Sequence, residues 1–154
     1  MRYLVSLCFV LCTSPLAFGS DPGDSADQNQ VTKDHPTLFL GVWQNDRGSV
    51  VNFTSTKEIL SGYYQTQLGQ PDKSQKFPLT GFVQGDLITF TVNFTGYGSI
   101  TSWSGQLSKD ERGDYIRTLW HLTRDIEDGQ EDTDLWHSIT AGASDFRRMP
   151  LNLR

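Results

Sequence analysis

The residues Ser99, Thr101 and Trp103 lie two apart in the run Ser-Ile-Thr-Ser-Trp-Ser. In an extended chain, side chains two apart share a face. Two hydroxyls and an indole therefore look one way, with Ile100, Ser102 and Ser104 on the other side. The spacing recurs in Trp43 with Asn45 (Ser49 follows across Asp46-Arg-Gly48), in Tyr64 with Thr66, and in Trp120 with Leu122. Hydrogen-bonding groups thus repeat beside large rings on several segments. Buried polar atoms need partners, so a face built this way asks for water or for a polar, flat-ringed guest. Any single pair also fits outward hydroxyls on a solvated β surface, and only the repetition points to a site. The chemistry is recognition. No Ser, His and carboxylate cluster follows from the spacing, so nothing supports a hydrolase, and His35, His121 and His137 are not spaced as a metal set.

These residues need strands to hold them. From Leu38 onward, short β-rich runs alternate with clusters of Gly, Asp, Asn and Lys, which predicts strands over 40–45, 49–55, 59–66, 76–83, 87–94, 99–107, 115–123 and 133–142. No convincing helical period is present. Eight antiparallel strands joined in order close into an all-β, eight-stranded antiparallel up-and-down β-barrel, which removes exposed edges. The fifth run assigns its faces clearly: Ile88, Phe90, Val92 and Phe94 on one, Leu87, Thr89, Thr91 and Asn93 on the other. The polar 67–75 loop, with Gly69 and Pro71, is long enough to act as a flap over the barrel mouth.

The chain begins Met-Arg, continues with an apolar run from Tyr3 to Leu11, and offers Ala17 and Gly19 as small residues at −3 and −1. That pattern predicts a secretory signal peptide over 1–19 and a secreted, extracellular protein. No later segment approaches the length of a membrane span. Both cysteines, Cys8 and Cys12, lie inside that leader, so the processed chain has no disulfide and must be stable by burial, alone or with assembly. Loss of Arg2 moves the net charge from −5 to about −6. With no basic cluster to hold phosphates, nucleic acid is not an expected partner. Residues 20–37 are polar and acidic and read as a flexible leader, 38–148 as the barrel domain, and 149–154 as a flexible tail. Asn52-Phe-Thr54 and Asn93-Phe-Thr95 are N-glycosylation sequons. Arg112-Gly-Asp114 sits in a hairpin-turn sequence, and the acidic run 125–134 lacks the ligand spacing of an EF-hand loop.

From about Leu40 to Phe146 the sequence resembles the avidin and streptavidin family. The resemblance rests on Gly41-Val-Trp-Gln-Asn-Asp-Arg-Gly-Ser49, Gly62-Tyr-Tyr-Gln-Thr66, Phe90-Thr-Val-Asn93, Thr101-Ser-Trp-Ser-Gly-Gln106, Thr118-Leu-Trp-His-Leu122, and Asp134-Leu-Trp136 followed by Gly142. It implies a non-catalytic protein, without a cofactor, that binds biotin as its ligand in the barrel mouth. By that resemblance Asn45, Ser49 and Tyr64 donate to the ureido oxygen, an oxyanion-hole arrangement used for grip. Thr66 accepts one ureido N–H, Thr101 faces the thioether sulfur, and Ser99 and the backbone of 67–70 meet the carboxylate. Phe94, Trp103 and Trp120, with Leu122 beside them, form the walls, and Trp136 is lent to a neighbouring subunit of a homotetramer. Two positions depart from the family. It usually places Asp or Asn eight residues after the lent tryptophan, where this chain has Ser144, and it commonly has tryptophan in place of Phe94. A hydroxyl in place of a carboxylate costs roughly 1 kcal/mol, about tenfold in affinity.

A second expectation is a lipocalin-like carrier of an apolar small molecule, since Gly41-Val-Trp43 fits the Gly-x-Trp start of that class. The missing cysteine pair and the hydroxyl-rich inner face stand against it, because a lipid would leave those donors unpaired. A third, an extracellular interaction module, needs only an exposed Arg112-Gly-Asp114 turn.

Overall fold

A computed structural model describes residues 38–56 and 59–150. Both the leader expected over 1–37, including the signal peptide, and the last residues of the expected tail, 151–154, lie outside the described residues. Eight strands, β1 (Gly41–Asn45), β2 (Val50–Thr56), β3 (Leu60–Gln65), β4 (Phe77–Gln84), β5 (Leu87–Phe94), β6 (Ser99–Asp110), β7 (Gly113–Arg124) and β8 (Ile139–Arg148), pair antiparallel in sequence order. The barrel is closed by β1 against β8 through Trp43↔Arg148, Gln44↔Arg147 and Asn45↔Phe146. The expected up-and-down barrel is what the chain forms.

Alternation along the strands separates two faces. On β5, Ile88, Phe90, Val92 and Phe94 are buried inside the barrel while Leu87, Thr89 and Asn93 are exposed, as the pattern predicted. One half of the interior is packed with Phe39, Trp43, Val51, Phe53, Leu60, Phe90, Ile116 and Phe146, all essentially inaccessible. Phe90 joins this core to the other half: it meets Phe53 edge-on at 5.2 Å, Phe146 at 5.9 Å, and stacks on Trp103 at 4.9 Å with ring planes 11° apart. Edge-on and stacked rings each add about 0.5–1.5 kcal/mol beyond the area they bury. Trp43 satisfies its buried indole N–H on the Phe39 carbonyl at 2.7 Å. Arg148 lies over the Trp43 ring and donates to the carbonyls of Leu38 and Leu40, tying the entry of the chain to the last strand.

The eighth strand is a correction. It runs from Ile139 to Arg148, whereas the expectation was 133–142. Residues 128–138 form three consecutive helical turns instead, Asp128–Gln130, Glu131–Asp134 and Leu135–Ser138. A bond between His137 Nδ1 and Asp134 Oδ1 at 2.6 Å spans three positions, the spacing of a helical turn. The true strand has little β-branched content, and its ladder with β7, from Tyr115↔Arg147 to Thr123↔Ile139, decides it.

Arg112 and Gly113 stand at the β6–β7 turn, where Asp110 Oδ1 accepts the Arg112 N–H at 2.9 Å and Arg147 pairs with the Asp110 carboxylate. Asp110, held by the Arg147 guanidinium, titrates at about 2.

Candidate ligand-binding site

The open half of the barrel holds a cavity of about 340 Å³. Its polar end is built by the turn between β1 and β2. There Asn45 Oδ1 accepts the backbone N–H of Arg47 at 3.0 Å and of Ser49 at 2.8 Å, closing the turn in the manner of an Asx motif. Gly48 makes the turn possible with a φ of 81°. With its oxygen occupied, the Asn45 amide presents its NH₂ group to the cavity, 3.5 Å from the Tyr64 hydroxyl. Ser49 Oγ accepts the Gln67 N–H at 3.0 Å, which leaves its own hydrogen free to donate. Burial, the largest influence, raises the Tyr64 pKa above its ordinary value of 10.0, with Ser49 and Asn45 beside its hydroxyl acting in the opposite direction. The three residues form one cluster of donors: an amide NH₂ and two hydroxyls, facing a single small volume.

Thr66 stands beside them at the end of β3. Its hydroxyl accepts the Leu68 N–H and reaches the Leu68 carbonyl, both at 3.0 Å, so one lone pair is left to accept from a guest. Residues 68–71 continue along the wall, with Pro71 buried, and the 67–75 loop is anchored by Tyr97 Oη donating to Gln75 Oε1 at 2.8 Å. Aromatic walls complete the space. Tyr64 lies 5.1 Å from Trp103 and meets Phe94 edge-on at 6.0 Å. Trp120 and Leu122 line it from β7, and the Trp120 indole extends across Gly142 of β8. Ser99 and Thr101 face inward from β6, and Ser144 from β8. The face of Ser99, Thr101 and Trp103 is therefore a cavity wall.

Of the residues expected to form a site, all but Trp136 line this one cavity. Trp136 stands on the last helical turn before β8, 83% exposed, and is not among the residues that line its own chain's cavity. At the departure after Trp136, Ser144 is buried inward, while Asp145 points out and takes Arg117 in a two-pronged ion pair at 3.0 and 3.1 Å. Sequence reasoning did not single out Arg47, Tyr97 or Gln70 as wall residues. Arg47 was visible only as a turn residue, and a period-two pattern carries no signal from a turn. Both sequons sit on outward positions: Asn93 is exposed, and Asn52, half-buried, donates to the Tyr63 hydroxyl at 3.1 Å.

A sequence profile described as the Avidin family matches residues 33–149. The chain belongs to the avidin family. That family is one of non-enzymatic biotin-binding proteins. Comparison with curated proteins returns no significant match. Among solved structures, Xenavidin is 29% identical, with 73% of this chain and 98% of that one covered and a TM-score of 0.64. A biotin binding protein from chicken is 27% identical, with 75% and 98% covered and a TM-score of 0.62. A rhizavidin–biotin complex is 26% identical, with 75% and 95% covered and a TM-score of 0.61. Avidin membership accounts for both the closed barrel and a ligand cavity within it. Among the described residues no His, Cys, Asp or Glu cluster suits a metal ion, and no helix is long and apolar enough to cross a membrane.

Proposed function

We propose that this avidin-family protein binds biotin in its barrel mouth, without catalysis. The observation that carries the reading is the donor cluster of Asn45, Ser49 and Tyr64, whose polarity the surrounding hydrogen bonds dictate. Three donors lining one end of a cavity suit an acceptor that gains negative charge when gripped, and a ureido carbonyl is such an acceptor. Thr66 takes one ring N–H and Ser144 faces the other. The ring system lies between Trp103, Phe94 and Trp120, with Leu122 beside it. Thr101 meets the thioether, and Ser99 with the backbone of 67–70 meets the carboxylate.

The protein works as a homotetramer in this reading, with each Trp136 lent to a neighbour's cavity. Its exposure in the single chain supports that role, because a tryptophan left in water gains nothing from its large apolar surface. The protein is secreted, carries glycans at Asn52 or Asn93, and engages neither nucleic acid nor membrane.

The test is thermal unfolding of the secreted chain with and without excess biotin, with palmitate as the control for a lipid carrier. Nanomolar binding at about 1 mM ligand adds roughly 8 kcal/mol per site, a large upward shift in Tm. A shift with biotin alone supports the reading. No shift with biotin rejects it, and a shift with palmitate instead marks a barrel that carries lipids.

A further inference from the structure

Among the described residues, Arg47 is the one charged residue in the cavity lining, which otherwise consists of neutral polar, aromatic, aliphatic, proline and glycine positions. It comes from the turn that also carries the donor cluster, and its backbone N–H is held by Asn45 Oδ1. Its guanidinium lies over the Trp120 ring, 5.6 Å from the centroid, so the side chain is directed along the wall. The same turn abuts the 67–70 loop: Gln67 donates to Ser49 Oγ and its side chain packs over Gly48. Asp46, next to Arg47, and Lys73, which donates to the Gln67 carbonyl at 2.8 Å, belong to the same two segments but do not line the cavity. A lone cation beside low-dielectric aromatic walls projects its field into the space where a ligand sits. The whole chain is acidic, with a net charge of −5, and at Tyr64 the Arg47 charge acts more strongly than the opposing charge of Asp46, so the cation in the wall is a local feature set against the general one.

We propose that Arg47 makes this site select for ligand charge: a monoanionic guest is preferred over its neutral analogue. The inference deepens the biotin reading and rests on it. Arginine keeps its charge across the accessible pH range, so the preference is independent of pH while the ligand's carboxylate is ionised. The second contribution of the side chain, its packing on Trp120, acts on charged and neutral ligands alike.

The two contributions are separated by a ratio. Affinities for biotin and for biotinamide are measured by competition on the native chain and on Arg47→Met and Arg47→Lys. The biotin-to-biotinamide preference should fall roughly two- to tenfold in R47M and be largely retained in R47K. It should also shrink in the native chain, but not in R47M, when salt is raised from about 0.02 M to about 0.5 M. Equal weakening of both ligands in R47M, or an unchanged preference, overturns the proposal and leaves the biotin reading intact. A native chain that binds neither ligand overturns both.

Discussion

The Trp120 indole occupies the space above Gly142. A Cβ built on Gly142 would stand 2.4 Å from Cζ2 and 2.7 Å from Cε2 of that ring. No real Cβ tolerates such distances, so glycine at 142 is what lets a β7 tryptophan lie across β8 as a wall. Gly142→Ala must push the ring into the cavity or away from it. Overpacking of this kind costs about 1–3 kcal/mol of stability. Biotin affinity, measured by calorimetric titration, should fall at least tenfold, a loss larger than Leu122→Ala produces.

Ser144 is buried and faces the cavity beside Thr118, whose hydroxyl donates to the Ser144 carbonyl at 2.8 Å. A carboxylate there accepts a ring N–H more strongly than a hydroxyl does. Ser144→Asp should therefore tighten biotin binding about tenfold, seen as a slower off-rate in a displacement assay. Asp145→Ala should leave affinity unchanged, since its carboxylate faces outward onto Arg117.

Tyr64 yields a pH prediction. Burial raises its folded pKa above 10.0, so the unfolded chain loses this proton first as pH rises. Stability then declines from about pH 10 upward, until the folded phenol also ionises. Below that window the hydroxyl remains a donor and biotin binding should be flat with pH. Tyr64→Phe should lower affinity by about ten- to a hundredfold and remove this residue's share of the alkaline decline, followed by thermal melts between pH 8 and 11.

At the acid end, Asp110 is held at about 2 by its bond to Arg147. Its folded pKa lies below the ordinary carboxylate value of 3.8, so its contribution is present above that value and fades as pH drops toward 2. Asp110→Asn should flatten the fall in Tm between pH 4 and 2, with the side chain's exposure keeping the effect small.

Trp136 decides between a self-sufficient site and a shared one. Trp136→Lys should lower biotin affinity by tenfold or more and reduce the assembled mass seen in sedimentation. Unchanged affinity would mean that each cavity is complete within its own chain.

Much of this protein was legible as sequence because a strand's period of two is a local property. Ile88, Phe90, Val92 and Phe94 had to share a face, and so did Ser99, Thr101 and Trp103, whatever the rest of the chain did. The barrel followed from eight such runs in succession. The eighth strand was misplaced because its residues, Ile139–Arg148, carry weak β propensity and depend on a ladder with β7, while the apolar Leu135 and Trp136 drew the assignment toward a helical turn. Periodicity could also say that donors face inward, but not what each would do. The Asn45 amide presents its NH₂ because two backbone N–H groups occupy its oxygen, and Ser49 is left to donate because Gln67 donates to it. Arg47 reaches the wall only because the β1–β2 turn and β7 come together once β8 closes the barrel between β7 and β1, and Trp120 has room only because Gly142 lies beneath it. The sequence by itself determined which residues share a face, since backbone geometry repeats every two residues. The tertiary structure alone decided which faces meet and which atoms stay unpaired, since those depend on contacts between residues far apart in the chain.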